Sequence, residues 1–146
     1  MTFFLVEDDH LQAEWLHQEL EREFRDATVE VIPTESGFRE LMDDVQDRRP
    51  DVVIMDVMLR WTDPGPEMPE PPADVKGDGY FLAGIRCAKL LADHHIEVPV
   101  ILYSVLDEND LAKDLPRVHT AGYLPKGSDL NPLFRKIRTA IKGRRE

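Results

Sequence analysis

The segment Arg49-Pro50-Asp51-Val52-Val53-Ile54-Met55-Asp56-Val57-Met58-Leu59 constrains the fold more than any other stretch of the chain. Val52 to Met55 is continuously apolar and largely β-branched. It is too short for a buried helix, so it reads as a strand covered on both faces, as in a parallel sheet with helices above and below. Asp56 ends the run. Open α/β sheets hold their ligands in the crevice beyond the carboxyl ends of the strands, which is where this carboxylate stands. The plainer alternative is an Asp that only starts a turn, and the remainder of the chain has to decide between them.

That remainder alternates strand and helix. Thr2 to Val6 is a short apolar run that stops at Glu7-Asp8-Asp9. Leu11, Trp15, Leu16, Leu20 and Phe24 then recur at helical spacing, predicting a first helix with these residues as its buried stripe. Thr28 to Ile32 is a second, β-branched strand. Ser36 is the expected cap of a helix burying Phe38, Leu41, Met42 and Val45. After the strand at 52–55 the order lapses: Asp63 to Asp78 holds five of the eleven prolines and shows no apolar period, which predicts an extended surface loop. A helix resumes at Gly79 with Phe81, Gly84, Ile85, Ala88, Leu91 and Ala92 on one side. Val98 to Tyr103 is a fourth strand, its Pro99 near the start where a missing donor is tolerated.

Beyond Ser104, residues 107–119 are polar and interrupted by Pro116, so any helix there is short or irregular. Tyr123-Leu124 is the core of a brief fifth strand, followed by Pro125-Lys126-Gly127. Ser128 or Asp129 caps a last helix with a stripe of Leu130, Leu133, Phe134, Ile137 and Ile141. Five alternating units with short connections predict an α/β, doubly wound parallel sheet with helices on both faces.

Size and charge limit what such a sheet does. A chain of 146 residues is expected to form one domain with an adequate core. Its single cysteine, Cys87, excludes a disulfide framework and reads as a small buried hydrophobe. Twenty-nine acidic against eighteen basic residues give a formal charge of −11, which argues against direct nucleic-acid binding and suits a chain that holds a cation. No leader and no membrane-length apolar run are visible, so a soluble, cytoplasmic protein is expected. His10, His17, His94, His95 and His119 are scattered without ligand spacing. The basic run at 142–145 complements a helix C-terminus.

The strand ends carry the chemistry. Glu7 and Asp8 follow the first strand, Asp56 the third, Ser104 the fourth and Lys126 the fifth. In a sheet wound this way all four ends share one rim, so carboxylates, a hydroxyl and an ammonium converge on one pocket. Crowded carboxylates repel, and capture of a hard cation relieves them. Magnesium suits two carboxylates and a backbone carbonyl with places left for phosphate, and the Met58 carbonyl, two residues past Asp56, is placed to be that ligand. Lys126 and Ser104 donate to an anion. The pocket suits a phosphoryl group carried on Asp56.

Four segments now stand in order: Phe4-Leu5-Val6-Glu7-Asp8, Pro50 to Leu59, Pro99-Val100-Ile101-Leu102-Tyr103-Ser104, and Tyr123-Leu124-Pro125-Lys126. With them the chain resembles, over nearly its full length, the receiver domain of two-component response regulators. The resemblance implies a flavodoxin-like sheet of strand order 2-1-3-4-5, and a single receiver domain over 1–146 with a Pro- and acid-rich insertion at about 61–78. It further implies that a histidine kinase or phosphotransfer protein donates phosphate to Asp56, with Mg2+ on Asp8, Asp56 and the Met58 carbonyl and Glu7 acting mostly through water. Ser104 would then move toward the phosphoryl oxygens and the Tyr123 ring would turn, altering the face made by 107–119, the fifth strand and the last helix. Asp9 matches no ligand of the family and reads as a helix cap. The implied partners are the phosphate donor and an unidentified downstream protein, with a homodimer left open. No output module, membrane contact or direct nucleic-acid contact is expected, and no catalysis beyond self-phosphorylation and self-dephosphorylation.

Three departures bear on this reading. Receivers usually have Pro after the lysine, joined by a cis peptide, where this chain has Gly127; a cis bond without proline costs roughly 2.5–4 kcal/mol, and both isomers stay open. Val105 replaces a small residue after the switch hydroxyl. The loop 61–78 is longer than usual and leaves the strand carrying Asp56, which makes it either a tolerated insertion or a lid or docking element. Two rival functions remain: a receiver fold that binds partners without phosphate, which would be marked by loss of Asp56, Asp8 or Lys126, and a magnesium-dependent aspartyl phosphatase, which would carry a second acid where Met58 stands.

Overall fold

The computed structural model describes residues 1–45, 47, 49–63, 70–79, 82–106, 109 and 120–145, with the backbone alone for 43–45, 78, 144 and 145. The elements run β1 (Thr2–Val6), α1 (His10–Glu23), β2 (Thr28–Ile32), α2 (Glu35–Val45), β3 (Val52–Met55), α3 (Ala73–Asp78), α4 (Ala83–Asp93), β4 (Val100–Ser104), β5 (Gly122–Pro125) and α5 (Asn131–Arg145). The strands form one sheet of order β2-β1-β3-β4-β5, and every pairing is parallel.

Side chains alternate across a strand, so each central strand feeds two cores. Phe3, Leu5, Val52, Ile54, Ile101 and Tyr103 face α1 and α5, joined by Leu16, Leu20, Leu133 and Ile137. Phe24 packs edge-on against both Phe3 and Phe134 there, with ring centroids 5.2 and 5.9 Å apart. Phe4, Val6, Val53, Met55, Val100 and Leu102 face the other way, against Phe38 and Met42 of α2 and Ala83, Cys87, Ala88 and Leu91 of α4. β3 lies centrally and is buried along its whole length, as its unbroken apolar run requires.

Several expectations need correction. Leu11 is 79% exposed and Trp15 36%, so the inner face of α1 is Ala13, Leu16 and Leu20 instead; helical spacing fits two adjacent faces, and only packing selects one. Ala92 is likewise exposed. The cap of α2 is Thr34, whose hydroxyl accepts from the Gly37 amide at 3.0 Å, rather than Ser36. Asp129 serves at the start of α5, accepting from the Asn131 amide, and Asp9 caps α1 as expected, accepting from Leu11 and Gln12. The stretch read as loop through Asp78 contains α3, whose Val75 is buried. It ends at Gly79, where φ is 70°, a conformation glycine adopts without strain. α4 starts at Ala83 rather than Gly79, and β4 at Val100 rather than Val98. The expected irregular helix at 107–119, the Phe81 position and the Val45 side chain fall outside the described residues.

Candidate functional site

The rim of the sheet is built by strands that run out one residue before their reactive groups. The Glu7 amide still donates to the Ile32 carbonyl at 3.1 Å, the Asp56 amide to Val6 at 2.9 Å and the Lys126 amide to Ser104 at 2.8 Å. Each residue is therefore held by the sheet ladder while its side chain projects past it. The three sites sit after β1, β3 and β5, 119 residues apart at the extreme.

These side chains meet. Lys126 Nζ donates to Asp56 Oδ2 at 2.9 Å and also to Glu7 Oε1. One carboxylate oxygen from each of Glu7, Asp8 and Asp56 lies within 4.8 Å of the others. Glu7 and Asp56 are buried, while Asp8 is partly open to solvent. Burial first, and then the neighbouring Asp56 carboxylate, push the Glu7 carboxyl up to about 9, against the pull of Lys126. Burial pulls the Lys126 ammonium down, but its bonds to Glu7 and Asp56 and their charges outweigh this and hold it above its usual value.

Three acidic groups are crowded around one ammonium, with Glu7 driven toward its protonated form, and Glu7 Oε2 is buried without a hydrogen-bond partner. A buried acceptor without a partner, on a residue grouped with two further carboxylates, fits a hard divalent ion with oxygen ligands. The acidic triad can thus hold a metal. The Met58 amide reaches back to Asp56 Oδ1 at 3.4 Å, folding 56–58 into a turn at the pocket.

Two sequence candidates stand further back. Ser104 is fully buried at the end of β4, and its hydroxyl accepts from the Leu106 amide at 3.2 Å. Tyr123 is half-buried and packs against the core on the α2/α4 side. The Lys126–Gly127 peptide is trans, no cis bond occurring among the described residues. Tyr103 is buried, with its hydroxyl 3.5 Å from both polar main-chain atoms of Gly127. Val105 is exposed beside the pocket.

Sequence reasoning missed three features. Gly84 lies against the turn after Asp56: its amide donates to Val57 at 2.8 Å, and a Cβ there would meet the Asp56 carbonyl oxygen at 2.1 Å. An isolated glycine inside a helical pattern was the available signal. Arg60 holds Asp8 from a second side, its amide donating to Oδ2 at 3.1 Å and its guanidinium to the main-chain carbonyl at 3.2 Å. Glu35, wholly buried, takes two bonds from Arg86, at 3.0 and 2.7 Å, and one from Arg39 at 2.9 Å. Arg39 in turn reaches Asp74 of α3 at 2.9 Å and lies over the Trp61 ring at 5.3 Å. Nothing in the local sequence announces this cluster, because its members are ordinary surface residues until the helices pack.

The chain has the fold of response-regulator receiver domains, a five-stranded parallel sheet of order β2-β1-β3-β4-β5. Its sequence is similar to the response regulator GacA of Pseudomonas viridiflava, 25% identical over 146 residues that cover 99% of this chain and 58% of that protein. The chain therefore spans little more than half the length of that relative. Among solved structures it is similar to a response regulator receiver protein from Pseudoalteromonas atlantica (TM-score 0.73, 15% identity, 99% of each chain covered). It is also similar to the receiver domain of the Francisella response regulator 1452 (TM-score 0.72, 19% identity, 98% of each chain covered). No protein-family model matches it.

Proposed function

We propose that this chain is a phosphoacceptor signalling switch in which Asp56 receives a phosphoryl group from the phosphohistidine of a sensor kinase or phosphotransfer protein. In that step an Asp56 carboxylate oxygen bonds to phosphorus as the phosphorus–nitrogen bond breaks, and the donor imidazole leaves with the electron pair. The observation that carries the reading is the contact of Lys126 with both Asp56 and Glu7 inside a carboxylate-rich rim.

Asp56 presents the attacking oxygen, and burial keeps it poorly hydrated. Lys126 neutralises charge on the phosphoryl oxygens, which is most of what a protein contributes to such a transfer. Asp8, Asp56 and the Met58 carbonyl would hold Mg2+, with Glu7 behind them. When bound, the ion screens the acids and the phosphoryl oxygens from one another. Ser104 supplies a hydroxyl near the new charge, and its bond to the Leu106 amide is what it would give up in turning. Tyr123 would follow, re-shaping the β4–β5 edge for a downstream partner. We assign 1–146 to one receiver domain with an insertion over 61–78, acting in the cytoplasm. Among the described residues no helix is long and apolar enough to cross a membrane.

Incubation with beryllofluoride, read by Trp61 fluorescence, or with a small phosphodonor, read by intact mass, each with and without Mg2+, tests this for wild type and Asp56→Asn. A magnesium-dependent adduct absent from the variant is expected. No adduct on wild type would instead favour a module that binds partners without phosphate.

A further inference from the structure

We propose that Arg60 is a positioning residue that orients Asp8 for a small, geometrically demanding cation; the inference rests on the metal-assisted phosphoacceptor reading above. Three observations lead there. The sheet ladder at this edge ends with the Glu7 amide, so Asp8, one residue further and partly open to solvent, needs another source of order. Arg60 supplies it twice from 52 residues away, with its amide on Asp8 Oδ2 and its guanidinium on the Asp8 carbonyl. The amide bond anchors Oδ2, and one oxygen of the Asp8 carboxylate lies within 4.8 Å of those of Asp56 and Glu7.

Arg60 is itself held in place. Its carbonyl accepts from the Glu35 amide at 3.0 Å, and that of Trp61 from Ser36 at 2.8 Å. Glu35 is locked by Arg86 and Arg39, and the Arg60 guanidinium lies 3.3 Å from Asp63. The segment leaving the Asp56 strand is thereby pinned to the start of α2 just where it grips Asp8. A ligand held this firmly favours a cation with strict octahedral demands over a larger, more tolerant one.

The charge of Arg60 makes the prediction sharp. As a cation near a metal site it repels the ion, so by charge alone its removal tightens binding; by positioning, removal weakens it. Calorimetric titration with Mg2+ and separately with Ca2+ should compare wild type, Arg60→Ala, Arg60→Lys and the control Asp8→Asn. Arg60→Ala keeps the amide bond, so Mg2+ binding should weaken at the lower end of the range for groups that orient ligands, about tenfold. Ca2+ binding should weaken about twofold or less. Arg60→Lys, which keeps a donor for the Asp8 carbonyl, should recover most of the loss, and melting in EDTA should be unchanged. Unchanged or tighter Mg2+ binding in Arg60→Ala overturns the inference, as does an equal loss for both ions. Wild type that binds no Mg2+ overturns the phosphoacceptor reading itself, and is told apart because Asp8→Asn then matches wild type.

Discussion

Two ionic clusters adjoin α4, one through Arg86 and one through Gly84, and they differ in how their charges balance. Around Glu35, two acids (Glu35, Asp74) face two guanidiniums (Arg39, Arg86). The contacts include a two-point Arg–carboxylate fork of the kind that satisfies both partners. At the strand ends, Glu7, Asp8 and Asp56 gather around Lys126, the one cation among the described residues that bonds their carboxylates, with the Arg60 guanidinium on the Asp8 main-chain carbonyl. The first cluster pairs its charges within the chain and joins α2, α3 and α4, although Arg39 Nε and Arg86 Nη1 are buried without a hydrogen-bond partner. The second leaves a buried acceptor orphaned and a carboxyl pushed far from its usual range. Balance marks a structural joint, and imbalance marks a place where an ion or a new covalent group is expected.

The comparison breaks most readily at the balanced cluster. Glu35→Gln leaves Arg86 buried without its carboxylate partner, while Arg39 keeps Asp74, and should cost about 3–5 kcal/mol, read by urea unfolding, with no rescue by Mg2+. If that variant is as stable as wild type, the cluster is not a structural joint. Gly84→Ala comes next, because α4 carries Arg86 and packs Gly84 on the main chain of Asp56 and Val57. Relief of that clash should cost about 1–3 kcal/mol or more and also weaken Mg2+ binding. Intact binding would show that the turn after Asp56 tolerates displacement.

The unbalanced cluster should respond with smaller effects and different signs. At an Mg2+ concentration ten times Kd, adding EDTA should lower wild-type stability by about 1.4 kcal/mol and leave Asp8→Asn unmoved. Asp56→Asn relieves like-charge crowding and should stabilise the metal-free protein by about 1 kcal/mol; clear destabilisation would mean the acids are fully compensated after all.

The pH dependence is the finest probe. Glu7 has a folded value raised from 4.5 to about 9, so the folded state binds the extra proton between those values. Metal-free stability should therefore be full below about pH 4.5, and this contribution should be lost as pH rises toward 9. Glu7→Gln should flatten the decline in thermal melts across that window, and an unchanged slope would assign it to other groups.

Much of this was legible in the chain itself. Five apolar runs with helical segments between them determine a parallel α/β sheet, because short β-branched runs bury only as strands and short connections leave few windings. The order of acids, hydroxyl and lysine at the run ends then determines what stands on one rim. Which face of a helix turns inward was not legible: Leu11 and Trp15 fit the spacing as well as Ala13 fits the core, and only the shape of the sheet excludes them. Nor was the helix inside the proline-rich segment, which shows no apolar period and is tied to α2 by the long-range pair of Asp74 with Arg39.

By itself, then, the sequence determined the sheet and the placement of Glu7, Asp8, Asp56, Ser104 and Lys126 at its carboxyl edge, because those follow from local hydrophobic runs and chain order. The tertiary structure alone decided which charges meet. Lys126 with Glu7, Arg86 with Glu35 and Arg60 with Asp8 are pairs separated by 119, 51 and 52 residues. No local pattern encodes such a contact; it exists once packing has brought the two backbones within reach of a hydrogen bond.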